Sequence, residues 1–555
     1  MLSDDILLNI FHYYLESTPQ IWPTLAWVCQ RWRQIIFESP LGLNLQLYCT
    51  YGTPVLRTLD YWPALPIVVQ YGGLPNLDPP APEDDENIIA ALKQSGRVSS
   101  ISLTITSSLL ERLSAISEPF SELEELTLLS QENIQPTLPS TFRWGPRLRT
   151  LRSTRIALPS IPQLLLPSQN LVDLQFHEIP GAGYFPPDTF ASALSEMAQL
   201  ETLSLHFFSL PPRRNYIRLP PQSGERIVLP ALTRLKYRGT SKYLDSLVAW
   251  IDAPRLGDID ITIFSQPTMD ASQIGRFIER IETQASLSEV NVRTSADAIS
   301  ISFTNSSSPA SSPAPLRLQI PCKQLDWQLS AMAQVCGQFS PILRRVETVG
   351  IDTTQPSSSQ DDVDSEQWLE IVRSFGGARD FWVGAGLMTD ILSVLGQADS
   401  GHTTVAVLPV LRHIRVENPT GLKEPSLDTL WSFITSRSQS GRPVQVNVSF
   451  HPCNICNACF GELQGLECHL VDKHTYRRMC SYCSDFERLP GLNSQFREHL
   501  ENLHPEVLRN DRSVESLSTL FPSDSFVIKH THLRIPCAPD VVAPSTSSRC
   551  RTPNS

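Results

Sequence analysis

Apolar residues in the first forty positions recur every three or four residues, which is typical of helices with one apolar face. The first face combines Ile6, Leu7, Ile10, Phe11 and Tyr14, and the second combines Leu25, Val28, Cys29, Trp32, Ile35 and Ile36. Pro23 suits the first turn of the second helix, and Ser39-Pro40 ends it. Because so short a helical segment buries little core by itself, we expect its apolar faces to pack on the rest of the chain or on a second protein.

A short pattern of apolar positions, spaced by two residues and then by one, returns between about residues 95 and 300. Its copies are Leu123-Leu126-Leu128, the weaker Leu148-Leu151-Ser153, Leu171-Leu174-Phe176, Leu200-Leu203-Leu205, Leu232-Leu235-Tyr237, Leu256-Ile259-Ile261 and Leu287-Val290-Val292. Successive copies begin 23 to 32 residues apart, which is close to the period of leucine-rich repeats. Since only a neighbouring repeat can cover the apolar edge of each strand, we predict an α/β fold with an irregular leucine-rich-repeat solenoid over residues 49–450. The alternative is an ordinary mixed helix and sheet domain whose strands begin with Leu.

The repeat fades after about residue 300, where foldable segments alternate with polar loops. Helices are predicted at 327–339, 368–375 and 388–396, and strands at 411–416 and 444–450. The segments 74–87, 305–315 and 353–366 are rich in Ser, Pro and acidic residues, and we predict that they are disordered loops. We expect this part to extend the solenoid and to cap it.

Cysteine and histidine residues near the C-terminus have the spacing of zinc ligands. Cys453, Cys456, His469 and His474 form C-x2-C-x12-H-x4-H, which is typical of a tetrahedral structural zinc site. Phe460 and Leu466 supply the small apolar core that such a finger needs, and that core holds only with metal bound. The alternative is a chance spacing in a cysteine-rich loop.

A second set of candidate ligands, Cys480, Cys483, His499 and His504, follows with a slightly longer middle spacing. Both units resemble two-cysteine two-histidine zinc fingers, so we predict tandem fingers at 451–505 with one or two structural zinc ions, followed by a mostly disordered tail at 506–555. The positions that would read bases are Glu462, Gly465 and Cys468 in the first finger and Leu492, Gln495 and Glu498 in the second. Because none of them is Arg or Lys, we do not expect these fingers to read DNA.

The N-terminal residues resemble a known motif. The run from Leu2 to Leu7, then Ile10-Phe11, then 25–32 (LAWVCQRW) resembles the F-box, and Ser39-Pro40 with Trp62-Pro63 resembles the fungal F-box proteins. The opening Leu2-Ser3 departs from the usual Leu-Pro of the motif. In this family, residues 1–48 would dock on the Skp adaptor of a cullin-based ubiquitin ligase. The resemblance implies that Ile6, Leu7, Ile10, Phe11, Leu25, Val28 and Trp32 divide between a small helical core and the adaptor contact.

Composition and charge narrow the class of protein further. A net charge of -12 argues against non-specific clamping of nucleic-acid phosphates, and no apolar run approaches the length that crosses a bilayer. Six of the 12 cysteines crowd between 453 and 483, and Cys29, Cys49, Cys322 and Cys336 are expected to be reduced core thiols. A reducing cytoplasmic or nuclear compartment follows from this distribution.

No phosphate loop, nucleophile elbow or zinc-protease helix is present in the sequence. We therefore expect a non-catalytic adaptor that binds the Skp adaptor, and through it a cullin, with the N-terminal helices. It would bind a protein substrate with the solenoid or the fingers. A zinc-finger regulator that binds nucleic acid, with the solenoid as an interaction platform, is the alternative.

Overall fold

A computed structural model of the chain describes residues 2–71 and 82–449. Its gaps within the second range are 117, 133–135, 140–141, 159–160, 209–225, 265–270, 282–286, 306–313, 324, 354–364, 385–386, 388–389, 392–393, 396–406 and 418–423. The predicted fingers at 451–505, the tail at 506–555 and most of the predicted loops and of the helix 388–396 lie outside the described residues.

The described part of the chain alternates between strands and helices or irregular returns. The α-helices are α1 (Asp4–Ser17), α2 (Trp22–Val28), α3 (Gln30–Glu38), α4 (Val55–Tyr61), α5 (Pro82–Leu92), α6 (Ser107–Leu113), α7 (Ile161–Leu165), α8 (Pro187–Leu194), α9 (Ser241–Val248), α10 (Ser272–Glu279), α11 (Leu325–Gln338), α12 (Ser340–Leu343), α13 (Ser365–Arg373) and α14 (Glu424–Gln439). The strands are β1 (Leu47–Cys49), β2 (Ile67–Tyr71), β3 (Val98–Ile105), β4 (Glu125–Ser130), β5 (Thr150–Thr154), β6 (Asp173–Ile179), β7 (Thr202–Phe207), β8 (Ile227–Val228), β9 (Arg234–Gly239), β10 (Ile251–Asp252), β11 (Asp258–Ile263), β12 (Glu289–Thr294), β13 (Ala298–Thr304), β14 (Leu316–Pro321), β15 (Thr348–Thr353), β16 (Asp380–Gly384), β17 (His413–Glu417) and β18 (Gln445–Ser449).

One large sheet of 16 strands organises the molecule, in the order β1-β2-β3-β4-β5-β6-β7-β9-β11-β14-β13-β12-β15-β16-β17-β18. All of its pairings are parallel except those of β13, and β8 and β10 form a separate small parallel pair. Because the sheet grows by one strand at a time along most of the chain, the predicted stacking of short strands is confirmed. The fold is α/β with a large parallel sheet.

The apolar positions of the repeat stand in register across the sheet. Leu126, Leu151, Leu174, Leu203, Leu235 and Ile259 are paired neighbours on successive strands. Each of them is at most 1% exposed. Helices pack on this buried side, where Tyr243 of α9 stacks on Tyr237 of β9 with ring centroids 6.3 Å apart. The intervening residues of each strand point to the opposite side, which we call the open face of the sheet.

One departure from stepwise stacking was not predicted. The strand at Leu287-Val290-Val292 forms as β12, but two other strands separate it from β11. A tight turn after β12, closed by the Ser295 N–H bond to the Ala298 carbonyl (2.8 Å), sends the chain back as antiparallel β13. The following β14 then fills the place beside β11. Local hairpin formation therefore overrides the order expected from the repeat.

The second N-terminal helix is also divided, where a single one was expected. It breaks at Cys29, whose backbone is extended, so α2 ends at Val28 and α3 begins at Gln30. The Cys29 Sγ accepts a hydrogen bond from the Trp32 N–H (3.5 Å) and caps α3. The core runs on from these helices into the sheet, because the Trp22 Nε1–H donates to the Gln46 carbonyl (2.7 Å) just before β1.

The loop predicted at 74–87 is wrong for its last six residues, since α5 begins at Pro82. Acidic residues at its start suit the positive end of a helix dipole. Two of the polar side chains of α5 also accept hydrogen bonds from the backbone between β1 and the first turn of α4. Asp84 accepts a hydrogen bond from the Gly52 N–H (3.1 Å), and Asn87 accepts one from the Val55 N–H (3.2 Å).

Candidate partner-binding surfaces

Helix α1 has two apolar faces, of which one is buried in the core and the other is about half exposed. Its inner face, formed by Leu7, Phe11 and Leu15, is 1–5% exposed and belongs to the core of the molecule. Its outer face is formed by Leu2, just before the helix, and by Ile6, Ile10 and Tyr14, which are 48–51% exposed. A stripe of half-exposed apolar side chains on a helix that is already anchored by its other side is suited to binding a partner.

The other residues that the F-box resemblance singles out lie on α2 and α3. Val28 is 58% exposed, Leu25 packs partly buried against the core, and Trp32 packs edge-on against Phe11 with ring centroids 4.9 Å apart. Arg31, at the start of α3, is bonded to the start of α1, since its Nε–H donates to an Asp4 carboxylate oxygen (3.0 Å) and its Nη2–H donates to the Leu2 carbonyl (2.6 Å). The exposed end of α2 therefore lies at the same end of the helical layer as the start of α1.

The eight predicted zinc ligands, Cys453, Cys456, His469, His474, Cys480, Cys483, His499 and His504, lie outside the described residues. Within the described ranges, no three His, Cys, Asp or Glu side chains gather closely enough to hold a metal ion. Cys49 and Cys336 are buried, and burial raises the pKa of each thiol to about 12, as befits inert core residues. Cys29 is exposed instead of buried, because it sits at the break between two helices.

The open face carries a chain of hydrogen bonds that sequence reasoning missed. His177 of β6 and His206 of β7 approach with their Nδ1 atoms 3.0 Å apart. The other ring nitrogen of His206 lies 3.4 Å from the Ser204 Oγ, and that of His177 lies 3.2 Å from the Gln175 Oε1. The Gln175 amide in turn donates to the carboxylate of Asp173 at 2.8 and 2.9 Å.

The hydrogen-bond partners assign the protons on the two neutral imidazole rings. Because the Gln175 Oε1 only accepts, His177 carries its proton on Nε2 and its Nδ1 accepts from the Nδ1–H of His206. The Nε2 of His206 then accepts from the Ser204 hydroxyl. Ser204 is 1% exposed, so its hydroxyl is inaccessible to a substrate and the Ser–His contact is no nucleophilic site.

The surroundings of this histidine pair disfavour a positive charge on either ring. Burial, followed by the charges of Lys236 and Arg152, lowers the pKa of His177. Burial, followed by His177, Arg238 and Lys236, lowers the pKa of His206 to about 4. Both rings are therefore neutral at pH 7.

A signal for the pair was present in the repeat. Each histidine stands three residues after the leucine at the second position of its strand, Leu174 or Leu203, and these leucines are register partners. Aligning the two copies would have placed the histidines side by side.

Comparisons with known proteins leave the family open. No family model matches the sequence, and no curated protein is significantly similar to it. Among solved structures, the leucine-rich repeat-containing protein LegL7 from Legionella pneumophila is similar at 10% identity over 70% of this chain and 97% of that chain. The TM-score is 0.24, which does not establish a common fold. Within the described ranges, no helix has the length and apolar character needed to cross a bilayer.

Proposed function

We propose that this protein is a substrate-recruiting adaptor subunit of a Skp–cullin–F-box ubiquitin ligase. The observation that carries the proposal is the two-sided α1, whose inner face joins the core while Ile6 and Ile10 remain 48% exposed. Val28, at the end of α2, is likewise exposed, at 58%. In the F-box family, residues at these positions divide between the core and the Skp adaptor, as the resemblance of the sequence implies.

The stacked strands after residue 48 would be a degenerate leucine-rich-repeat platform for the recruited protein. Among the described residues, its open face presents polar and charged side chains on successive strands such as β5, β6, β7, β9 and β11, an extended surface for protein recognition. The fingers at the C-terminus would bind structural zinc and would either hold the same partner or stabilise the end of the chain. This subunit would carry no catalysis, since its part is to hold a substrate near the charged ubiquitin carrier and so raise its local concentration.

The test is co-purification of the full chain with the Skp adaptor. In the double variant Ile10→Asp/Val28→Asp, both substituted positions are already solvent-exposed, so we expect a folded chain that has lost the adaptor. The matched control is Leu166→Asp/Val410→Asp, whose positions are 53% and 46% exposed in turns outside the N-terminal helices. We expect the control to keep the adaptor.

The proposal fails if the folded wild-type chain does not retain the adaptor, or if both double variants retain it equally. A duplex affinity that depends on salt and disappears with Cys453→Ser would then favour the zinc-finger regulator of nucleic acid.

A further inference from the structure

Two cations without an ion-pair partner lie next to the histidine pair on the open face. Several arginines of the neighbouring strands are paired instead, as in Arg152–Asp173 (2.7 Å) and Arg234–Asp258 (2.8 Å). Arg155 and Glu178 form a third pair. Among the described residues, by contrast, Lys236 and Arg238 of β9 have no carboxylate within ion-pair distance.

The sheet register brings these two cations onto the histidine network. Lys236 pairs with Ser204 across the β7–β9 ladder, and Arg238 pairs with His206. Because the two cations alternate along one strand, they project from the same face about 7 Å apart. Arg238 is exposed, and Lys236 and His206 are partly buried. The result is a small basic patch beside two histidine rings that are held in place by hydrogen bonds.

We propose that Lys236, Arg238 and the adjoining histidine pair bind an Asp- and Glu-rich segment of a partner protein on the open face. This inference rests on the proposed function, because that partner would be the recruited substrate. Carboxylates spaced along an extended segment match cations that stand on successive outward positions. The favoured bonds are charge-assisted ones from the ammonium and guanidinium groups.

Two other ligand classes fit the surroundings poorly. A metal cation would be repelled by the two free cations and would compete with the bond between the two Nδ1 atoms. A nucleic acid would need cations for a longer run of phosphates, whereas the arginines on the neighbouring strands are held in ion pairs, as in Arg152–Asp173 and Arg234–Asp258. Asp260, the register neighbour of Lys236 on β11, limits the patch on that side.

The histidines add a dependence on pH to this binding. The charged groups that face them are Arg152, Asp173, Glu178, Lys236 and Arg238. Bound carboxylates would add negative charge beside His206 and favour its protonated form. We therefore expect the complex to take up protons and the affinity to increase as the pH falls from 7 to 5.

The experiment uses the full chain and fluorescent peptides of equal length that are Glu-rich, phosphoserine-containing, neutral Ser/Gly or Lys-rich, with anisotropy as the readout. Lys236→Glu/Arg238→Glu is compared with Lys242→Glu/Arg276→Glu, which changes net charge equally at exposed positions of α9 and α10. We expect the Glu-rich peptide to bind the wild type and the control, and the β9 variant to bind it on the order of tenfold more weakly.

Several results would overturn the inference. They are absence of Glu-rich peptide binding, an equal loss in both variants, or binding of the phosphoserine peptide alone. A single-stranded oligonucleotide that binds as tightly and is lost with the same variant would identify nucleic acid instead. Adaptor co-purification separates the two proposals, since the β9 variant should keep the adaptor and Ile10→Asp/Val28→Asp should keep the acidic peptide.

Discussion

Two adjacent residues of α1 should respond to truncation in opposite ways. Phe11 is 1% exposed and packs against Trp32 at 4.9 Å, so Phe11→Ala removes a core aromatic and leaves a cavity. Such truncations cost about 3–5 kcal/mol, which includes the loss of an aromatic pair worth about 0.5–1.5 kcal/mol. We expect the N-terminal helices of this variant to open and the adaptor to be lost for that reason.

Ile10→Ala should leave the fold almost unchanged and weaken the adaptor complex. Ile10 is 48% exposed, so about half of its apolar surface remains to be buried by a partner. Full burial of an isoleucine side chain contributes about 1.5–3 kcal/mol, and the exposed half accordingly contributes about 1 kcal/mol. That free energy corresponds to an increase of about fivefold in Kd.

Hydrogen exchange of peptides from residues 4–38 measures the local stability, and calorimetric titration with the Skp adaptor measures Kd. Leu166→Ala, at a position that is 53% exposed outside the N-terminal helices, is the control for loss of a surface side chain. The assignment of the two faces is wrong if Ile10→Ala increases exchange as much as Phe11→Ala. The assignment of the contact is wrong if Ile10→Ala binds the adaptor as tightly as Leu166→Ala does.

Three further predictions concern other parts of the chain. Asp245 of α9 is 9% exposed and accepts hydrogen bonds from the N–H groups of Gln273 (2.7 Å) and Ile274 (3.0 Å) at the start of α10. Asp245→Ala should therefore destabilise α10 by about 2–4 kcal/mol, and Asp245→Asn should destabilise it by less. Equal hydrogen exchange of the α10 amides in both variants would contradict this. Because the pKa of His206 is lowered to about 4, its contribution to stability is present above pH 6.5 and is lost as the pH falls towards 4, by about 1–2 kcal/mol after allowance for solvent screening. Thermal unfolding of the wild type should therefore be more sensitive to pH in this range than that of His206→Gln, and parallel curves would refute the effect. Cys453→Ser should lower the bound zinc by one ion per chain in elemental analysis of the purified protein, and an unchanged zinc content would exclude the first finger.

The sequence by itself determined most of the strands and the buried side of the sheet. Leucines at spacings of three and two mark positions that lie on the same side of a strand, and burial of that side dominates the free energy of folding. The copies therefore stack as predicted, from Leu126 to Ile259. The periodicity of the N-terminal helices was equally informative about which residues are apolar.

Only the tertiary structure decided how these elements use their remaining surfaces. Periodicity cannot tell the inner face of α1 from its outer face, because Leu7 and Ile6 are both apolar and only their packing partners separate them. The chain reversal at β13 depends on a local turn that competes with stacking, and it changes which strand lies beside β11. The contact between His177 and His206 joins residues 29 positions apart, so it exists only once strand register is set. Apolar burial is read from local spacing, whereas polar contacts between strands depend on which strands are neighbours and in which register.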